Sequence, residues 1–381
     1  MSNTYWLNGK YIQKEDAYVS PLTHTLHYGL GAFEGVRSYI AHDEKSVNIF
    51  RLKEHTERLF ESAKIINVAI NHNIDEVMDA QLGVIKKSQL HDAYIRPLIY
   101  LNDERLGLDI DDMESHLMIS CWEWPSYFGS KAMEQGIDVM VSSFTRQFPN
   151  SLMTKGKISG GYVNGVMAHD QAKRNGYQEA VLLDTNGFVA EGSGQNIFLL
   201  KNQKLITPEL TCCLNGITRR SVMKIAADLG YDVLEKQITR DELYTADELF
   251  FSGTAVEITP IKSVDKIDVG LVACTKGVLN NHMVLIKDCG LKAGIVDVNP
   301  IALSNAFTFV KNMPDDGLVV MLDIGAVSSS LVVYGKGQQF FTRDLPIGGH
   351  HFVKELSTKK DCRKLSWIMI LLRMKLHLLN P

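Results

Sequence analysis

No two of the six cysteines, at positions 121, 212, 213, 274, 289 and 362, stand at C-x-x-C spacing, and no disulfide framework is written into the chain. Positive charge is not in surplus either. Forty Lys and Arg face 44 Asp and Glu for a net charge of −4, which removes the electrostatic footprint of a nucleic-acid or anionic-membrane binder. No apolar run has the length of a membrane span; 367–372 is too short and too closely followed by basic residues. Met1-Ser2-Asn3-Thr4 opens without the pattern of a signal peptide. His24 and His27 stand at i, i+3, yet no third ligand of suitable type recurs nearby, so a metal centre is set aside. These absences leave a globular protein of the reducing cytoplasm. At 381 residues, 45% hydrophobic and 22% charged, it has enough chain for two or three domains with a sizeable core.

Residues 5–12 read as a strand pair around an Asn8-Gly9 turn. The stretch 24–35, HTLHYGLGAFEG, is glycine-punctuated and aromatic and reads as a loop lining a site. Helices are expected at 51–66, where Leu59, Ala63 and Ile66 share a side, and at 75–87. In the strand 94–101, alternation puts Tyr94, Arg96 and Leu98 on one face, a cation in otherwise apolar company. Pro97 within it demands an edge position or a break in the ladder. After Gly136 come a strand at 137–143, a turn at 157–162, a helix at 163–175 ended by Gly176, and strands at 179–184, 188–191 and 196–200. Gly216 opens a helix with Val222, Ile225, Ala226 and Leu229 as its apolar stripe and Gly230 as its end. A strand at 248–252 runs into Gly253-Thr254-Ala255. Mixed elements with antiparallel returns predict an α+β fold rather than a doubly wound sheet.

Lys157-Ile158-Ser159-Gly160-Gly161-Tyr162 supplies an amine nucleophile, and Glu191 follows 34 residues later between turn-forming residues. A lysine can hold a carbonyl cofactor as a Schiff base, and a carboxylate facing a pyridine nitrogen lets pyridoxal phosphate act as an electron sink. On composition alone Lys157 reads as a solvated surface lysine and Glu191 as a turn carboxylate. Against that, Ser159-Gly160-Gly161 leaves room for a flat ligand, and Tyr162 can bond a phenolate oxygen. Gly216-Ile217-Thr218 at a helix start is either a simple N-cap or a phosphate site. Thr254 and Ala255 offer a second anion nest, weak by itself, and Arg58 taken alone is a solvated helix charge.

Assembled, these residues resemble the branched-chain amino acid aminotransferases of pyridoxal-phosphate fold type IV over 1–270. The carriers are HTLHYGLGAFEGVR, YIRPLIY, EQGIDVMVSS, K-x-x-G-x-Y, NGYQEAVLLDTNGFVAEGSGQNIF, LNGITR and FFSGTAVEITPIKSVD. The resemblance implies a small domain at 1–127 and a large domain at 128–270 that binds pyridoxal 5′-phosphate. It implies that Lys157 forms the Schiff base and moves the proton between substrate Cα and cofactor C4′, that Glu191 pairs with the pyridinium nitrogen and Tyr162 with the 3′-oxygen. Arg58, Ile217, Thr218 and Thr254 would hold the phosphate. Tyr94, Arg96, Thr254 and Ala255 would receive substrate carboxylates. Tyr28, Phe33, Gly35, Trp124 and Tyr127 would shape an apolar side-chain pocket, with Leu108 reaching in from a partner subunit. The implied activity is transamination between Leu, Ile or Val and 2-oxoglutarate by a homodimer or higher homo-oligomer; the implied partners are small amino acids and 2-oxo acids.

The pattern stops near Val269, before the family's closing helix. Residues 271–357 resemble an interior piece of the type IV pilus assembly protein PilM, an actin-like α/β fold, through VVMLDIGAVSSSLVVY and FFTRDLPIGGHHFVKEL. The opening phosphate loop of that fold is missing, so nucleotide binding there is not expected. An alternative to the enzyme is therefore a non-catalytic chimera carrying a pilus-assembly binding module. Val278, Leu279, Met283 and Ile286 form a helical stripe expected to pack on the large domain as a substitute lid. Residues 358–381 fit neither family and read as a frame-shifted tail, the alternative being an amphipathic interfacial helix.

Overall fold

A computed structural model describes residues 4–41, 45–270, 318–334 and 341–351, together with positions 302 and 307. The chain divides into two compact units, 1–275 and 276–381. The helical stripe Val278, Leu279, Met283 and Ile286, expected as a substitute lid, and the tail 358–381 lie outside the described residues.

The first unit begins with β1 (Thr4–Leu7) and β2 (Lys10–Gln13), which turn at Asn8-Gly9, both at positive φ. There follow α1 (His24–Tyr28), β3 (Gly31–Phe33), β4 (Val36–Ile40), β5 (Val47–Ile49), α2 (Leu52–Ile65), α3 (Ile74–Ser88), β6 (Ala93–Leu101) and β7 (Ser115–Glu123). The strands make one sheet in the order β2-β1-β7-β6-β4-β5, with β3 also on β6. α2 buries Leu59 and Ala63 against it, beside Val77 and Val84 of α3 and Ile95 and Ile99 of β6. α3 is fixed at its start by a capping box in which Asn73 and Glu76 exchange side-chain and backbone hydrogen bonds, satisfying donors the first turn leaves free.

The stretch 24–35 is not a loop. Gly29, at φ 70, ends a short helix whose Thr25 carbonyl accepts from the Gly29 amide, and the chain then enters β3. Apolar burial of Gly31, Ala32 and Phe33 on β6 overrides the glycine punctuation. Pro97 sits in the sheet interior. Its partner edge changes there from β3, which ends opposite Leu98, to β4, which begins opposite Ile95. The missing donor thus falls at a break in the ladder, and the Pro97 carbonyl still accepts from the Glu34 amide at 2.9 Å.

After α4 (Ser130–Gln135) the chain builds a nine-stranded sheet. Its elements are β8 (Ile137–Val141), α5 (Tyr162–Arg174), β9 (Glu179–Leu183), β10 (Val189–Gly192), β11 (Asn196–Lys201), β12 (Lys204–Pro208), α6 (Ile217–Asp228), β13 (Asp232–Lys236), α7 (Arg240–Tyr244), β14 (Glu248–Gly253), β15 (Glu257–Val264) and β16 (Ile267–Asp268). Strand order is β10-β9-β8-β15-β14-β11-β12-β13, with β16 on β15. Ile137, Val181, Ile197, Phe251 and Ile261 form its core. Most of its neighbours are antiparallel, β8 with β9, β8 with β15 and β12 with β13 being parallel. In the second unit β17 (Val319–Ile324), β18 (Ser329–Tyr334) and β19 (Phe341–Leu345) form an antiparallel sheet, its first turn closed by Gly325 N to Ser328 O at 2.9 Å.

Candidate active site

A cavity of about 560 Å³ opens where the two large sheets meet. Lys157 enters it because its backbone is fixed from two elements. Its amide donates to Ser62 Oγ of α2 at 2.9 Å, its carbonyl accepts from the Phe33 amide at 3.1 Å, and Ile158 bridges Ala32. Its Nζ then lies 2.5 Å from Tyr162 Oη, and 4.9 Å from the ring centres of both Phe33 and Tyr162. The glycines beside it do different work from that expected. A Cβ on Gly29 would stand 2.9 Å from Gly160 Cα, and Gly160 N donates to Gly29 O at 2.9 Å. They pack the 157–162 turn against the end of α1, and it is Ser159 rather than Gly160 or Gly161 that lines the cavity.

Glu191 is buried on β10, just past a register shift against β9 that aims it inward, as bulges do. Arg146 Nε stands 2.7 Å from its Oε1, and the Leu214 amide donates to Oε2 at 3.3 Å. Burial raises the Glu191 carboxyl above its ordinary value, against the opposing pull of Arg146 and the Leu214 amide. A Cβ at Gly165 would lie 2.1 Å from Ser193 O, so α5 needs glycine there to approach the turn after Glu191.

Arg58 is no solvated helix charge. It is buried on α2, with Nε 2.6 Å from Glu34 Oε1, Nη2 3.0 Å from Glu34 Oε2, and Nη1 donating to Asn215 O at 3.1 Å. His55 Nδ1 adds a 2.8 Å contact to Glu34 Oε2. Burial pushes the Glu34 carboxyl up, yet Arg58 and His55 outweigh it and hold the group well below the usual carboxylate range. Arg58 faces the start of α6, whose N-cap Gly216 makes no side-chain cap and leaves the first-turn N–H groups of Ile217 and Thr218 open to the cavity. A side chain at 216 would collide with Asn196 Oδ1, 2.0 Å from the Cβ position.

At the other end Tyr94 and Arg96 share the face that alternation predicts, with Arg96 Nη2 donating to Tyr94 Oη at 3.2 Å. The Arg96 guanidinium lies 4.4 Å from the Phe33 ring centre, and its buried Nε has no protein partner. Trp124 packs on Tyr94 at 4.9 Å and stacks with Tyr127 at 6.1 Å. Gly35 lines the wall because Tyr94 requires it: a Cβ there would stand 1.7 Å from Tyr94 Oη. Thr254 and Ala255 close this end.

Two of the expected wall residues do not line this chain's own cavity. Tyr28 is half-exposed at the end of α1 against His24, ring centres 4.6 Å apart. Leu108 is 88% exposed and does not line this chain's own cavity. Glu34, His55, Arg146 and Asn196 were not among the residues read from the sequence. Their signal is faint: each joins the site through a partner that only folding supplies. His24 and His27 bond the carbonyls of Gly107 and Pro21.

The cavity suits pyridoxal 5′-phosphate. Arg96 Nε, Gln195 Nε2 and Ser252 Oγ, all on residues that line it, are buried without protein partners, which marks a site made for a polar ligand. An uncapped helix start beside a buried guanidinium fits the phosphate, a buried carboxylate fits a ring nitrogen, and an amine beside a phenol fits the carbonyl and its neighbouring oxygen.

The family model for amino-transferase class IV matches residues 31–264, and that for type IV pilus assembly protein PilM matches 215–364. The second match supports the partial actin-like fragment but starts earlier than 271. A branched-chain-amino-acid aminotransferase of Pseudomonas aeruginosa is 47% identical over 265 residues, covering 70% of this chain and 86% of that protein. The crystal structure of the Escherichia coli branched-chain amino acid aminotransferase superposes with a TM-score of 0.69 at 41% identity, covering 78% of this chain and 97% of that one. The branched-chain aminotransferase of the thermophilic archaeon Thermoproteus uzoniensis, solved with norvaline, gives 0.69 at 36% identity over 75% and 96%. A further solved branched-chain amino acid aminotransferase, complexed with N-(5′-phosphopyridoxyl)-L-glutamate, gives 0.68 at 37% identity over 77% and 96%.

Proposed function

The chain belongs to the amino-transferase class IV family, and from that premise we propose that it transfers the amino group of leucine, isoleucine or valine to 2-oxoglutarate, giving branched-chain 2-oxo acids and L-glutamate. It is an aminotransferase of branched-chain amino acids that uses pyridoxal 5′-phosphate. The observation that carries the reading is the convergence of Lys157, Glu191, Arg58 with the α6 start, and the Tyr94–Arg96 face on one cavity.

When bound, pyridoxal 5′-phosphate supplies a carbonyl that takes up the amino group and a ring that draws electrons from the substrate Cα. Arg58, Thr254 and the first-turn amides of Ile217 and Thr218 would hold its phosphate, Glu191 its ring nitrogen, and Tyr162 Oη its 3′-oxygen. Lys157 Nζ would be the group that carries the proton between the substrate Cα and the C4′ atom of the cofactor. Tyr162 Oη, 2.5 Å away, orients that amine. Tyr94, Arg96 and the Thr254-Ala255 turn receive carboxylates. Phe33, Trp124 and Tyr127 give branched side chains an apolar wall, while the unpartnered Nε of Arg96 leaves a cation for the second carboxylate of glutamate. The glutamate moiety of the phosphopyridoxyl ligand bound to the solved relative supports that pairing. Leu108, exposed here, is assigned to the cavity of a neighbouring subunit in a homodimer or higher oligomer.

The test is the visible absorption spectrum of the purified chain with pyridoxal 5′-phosphate, before and after L-leucine. A band that bleaches with L-leucine and is absent in Lys157→Ala is expected. A folded chain without the band would overturn the reading in favour of a non-catalytic chimera.

A further inference from the structure

Glu257 opens β15 at φ 55, in the left-handed region where a residue with a side chain is disfavoured. It pairs with Gly253 to close the β14–β15 hairpin, so the connection is the three residues Thr254, Ala255 and Val256, all lining the cavity. A left-handed residue at the end of such a hairpin connection is normally glycine, which adopts it without steric cost. The side chain of Glu257 accounts for the exception. Its Oε1 accepts from Tyr39 Oη at 3.3 Å, and its Oε2 stands 4.0 Å from Nη1 of the buried Arg37.

Arg37 and Tyr39 belong to β4, where Arg37 is paired in register with Tyr94. Arg37 Nη2 also donates to Trp124 O at 3.4 Å, and Trp124 Nε1 donates to Ala255 O at 3.0 Å. The contacts form a closed ring: β4 to Glu257, through the turn to Ala255, then through Trp124 back to β4. The turn of one sheet is thereby held at two points to the sheet that carries the other carboxylate-receiving residues. Tyr39 is pushed up to about 12, first by its burial and then by the Glu257 charge, so its hydroxyl remains a donor across the working pH range.

We propose that Glu257 is a positioning residue that sets the Thr254–Val256 turn against the Tyr94–Arg96 face, and so fixes the spacing at which substrate carboxylates are received. This rests on the aminotransferase reading above. Glu257 touches neither substrate nor cofactor on this account; it acts through Arg37, Tyr39 and the turn.

The test compares Glu257→Gly and Glu257→Gln with the parent chain loaded with pyridoxal 5′-phosphate. Glycine keeps the left-handed backbone and removes the tether; glutamine keeps an acceptor for Tyr39 and removes the charge. Binding of 4-methylvaleric acid is read from the perturbation of the visible cofactor band, together with KM and kcat for L-leucine and the thermal midpoint. For Glu257→Gly the thermal midpoint is expected to hold, the cofactor band to stay in place, and both the 4-methylvalerate Kd and KM to rise about tenfold, the equivalent of one charge-assisted contact, with kcat changed far less. Glu257→Gln should fall between the two. A Glu257→Gly chain that binds 4-methylvalerate as tightly as the parent overturns the inference, as does an equal fall in kcat and thermal midpoint, which marks a merely structural role. A parent chain that shows no band or no bleaching with L-leucine overturns the aminotransferase reading instead.

Discussion

Glu34→Gln should unfold more of this protein's margin than any other single polar change at the site. Glu34 is fully buried and accepts from Arg58 at 2.6 and 3.0 Å, from His55 at 2.8 Å and from its neighbour's amide at 3.1 Å. Glutamine keeps the shape but loses the charge and turns an acceptor into a donor facing Nη2 or Nε. The Arg58 guanidinium, itself buried, would be left without a carboxylate, and breaking a buried pair in this way costs about 3–5 kcal/mol. Against a domain margin of about 5–15 kcal/mol that is about a fifth at the least and the whole of it at the most. The carboxyl is depressed in the folded chain, so its stabilisation is complete above the ordinary value of 4.5 and is lost as pH falls through the lower folded-state value. Urea unfolding of parent and variant without cofactor, from pH 7 down to pH 3, tests this. A gap of several kcal/mol at pH 7 that narrows under acid is expected. A gap below about 1 kcal/mol at pH 7, the range of an exposed pair, would refute the claim that burial makes this pair matter. Because Glu34 also orients Arg58, cofactor affinity should fall in the same variant.

Gly35→Ala places a methyl 1.7 Å from Tyr94 Oη, so Tyr94 must swing off Arg96; KM for L-leucine should rise about tenfold or more while the visible cofactor band survives, as steady-state kinetics and absorbance will show. Arg146→Met removes the cation 2.7 Å from a carboxylate that burial already raises. Glu191 should then rise further, and since a raised carboxyl stabilises the fold only while protonated, the variant's thermal midpoint should fall relative to the parent's as pH climbs from 5 to 8.

Much of the site was legible because short strings around it resemble those of a known family, each residue alone having a bland reading. The extended period put Tyr94 and Arg96 on one face of a strand and Gly216 stood before an apolar helical stripe, while Lys157, Tyr162 and Glu191 took their roles only from the resemblance of the surrounding strings to a known family. The break at Pro97 followed from its missing donor. The reading of 24–35 as a loop failed because burial of Gly31, Ala32 and Phe33 on β6 outweighed local glycine signals. Of the two glycines assigned to a ligand, Gly160 is instead packed against Gly29, whose carbonyl would lie 3.2 Å from a Cβ at 160.

What the sequence alone determined is the set of reactive groups and the local element on which each rides, since propensity, capping and periodicity act within a few residues. What only the tertiary structure decided is the charge environment of those groups. Glu34 meets Arg58 across 24 residues, Arg146 meets Glu191 across 45, and Glu257 meets Tyr39 across 218. Coulombic interaction and desolvation depend on distance through space and on exclusion of water, and neither is encoded at any one position of the chain.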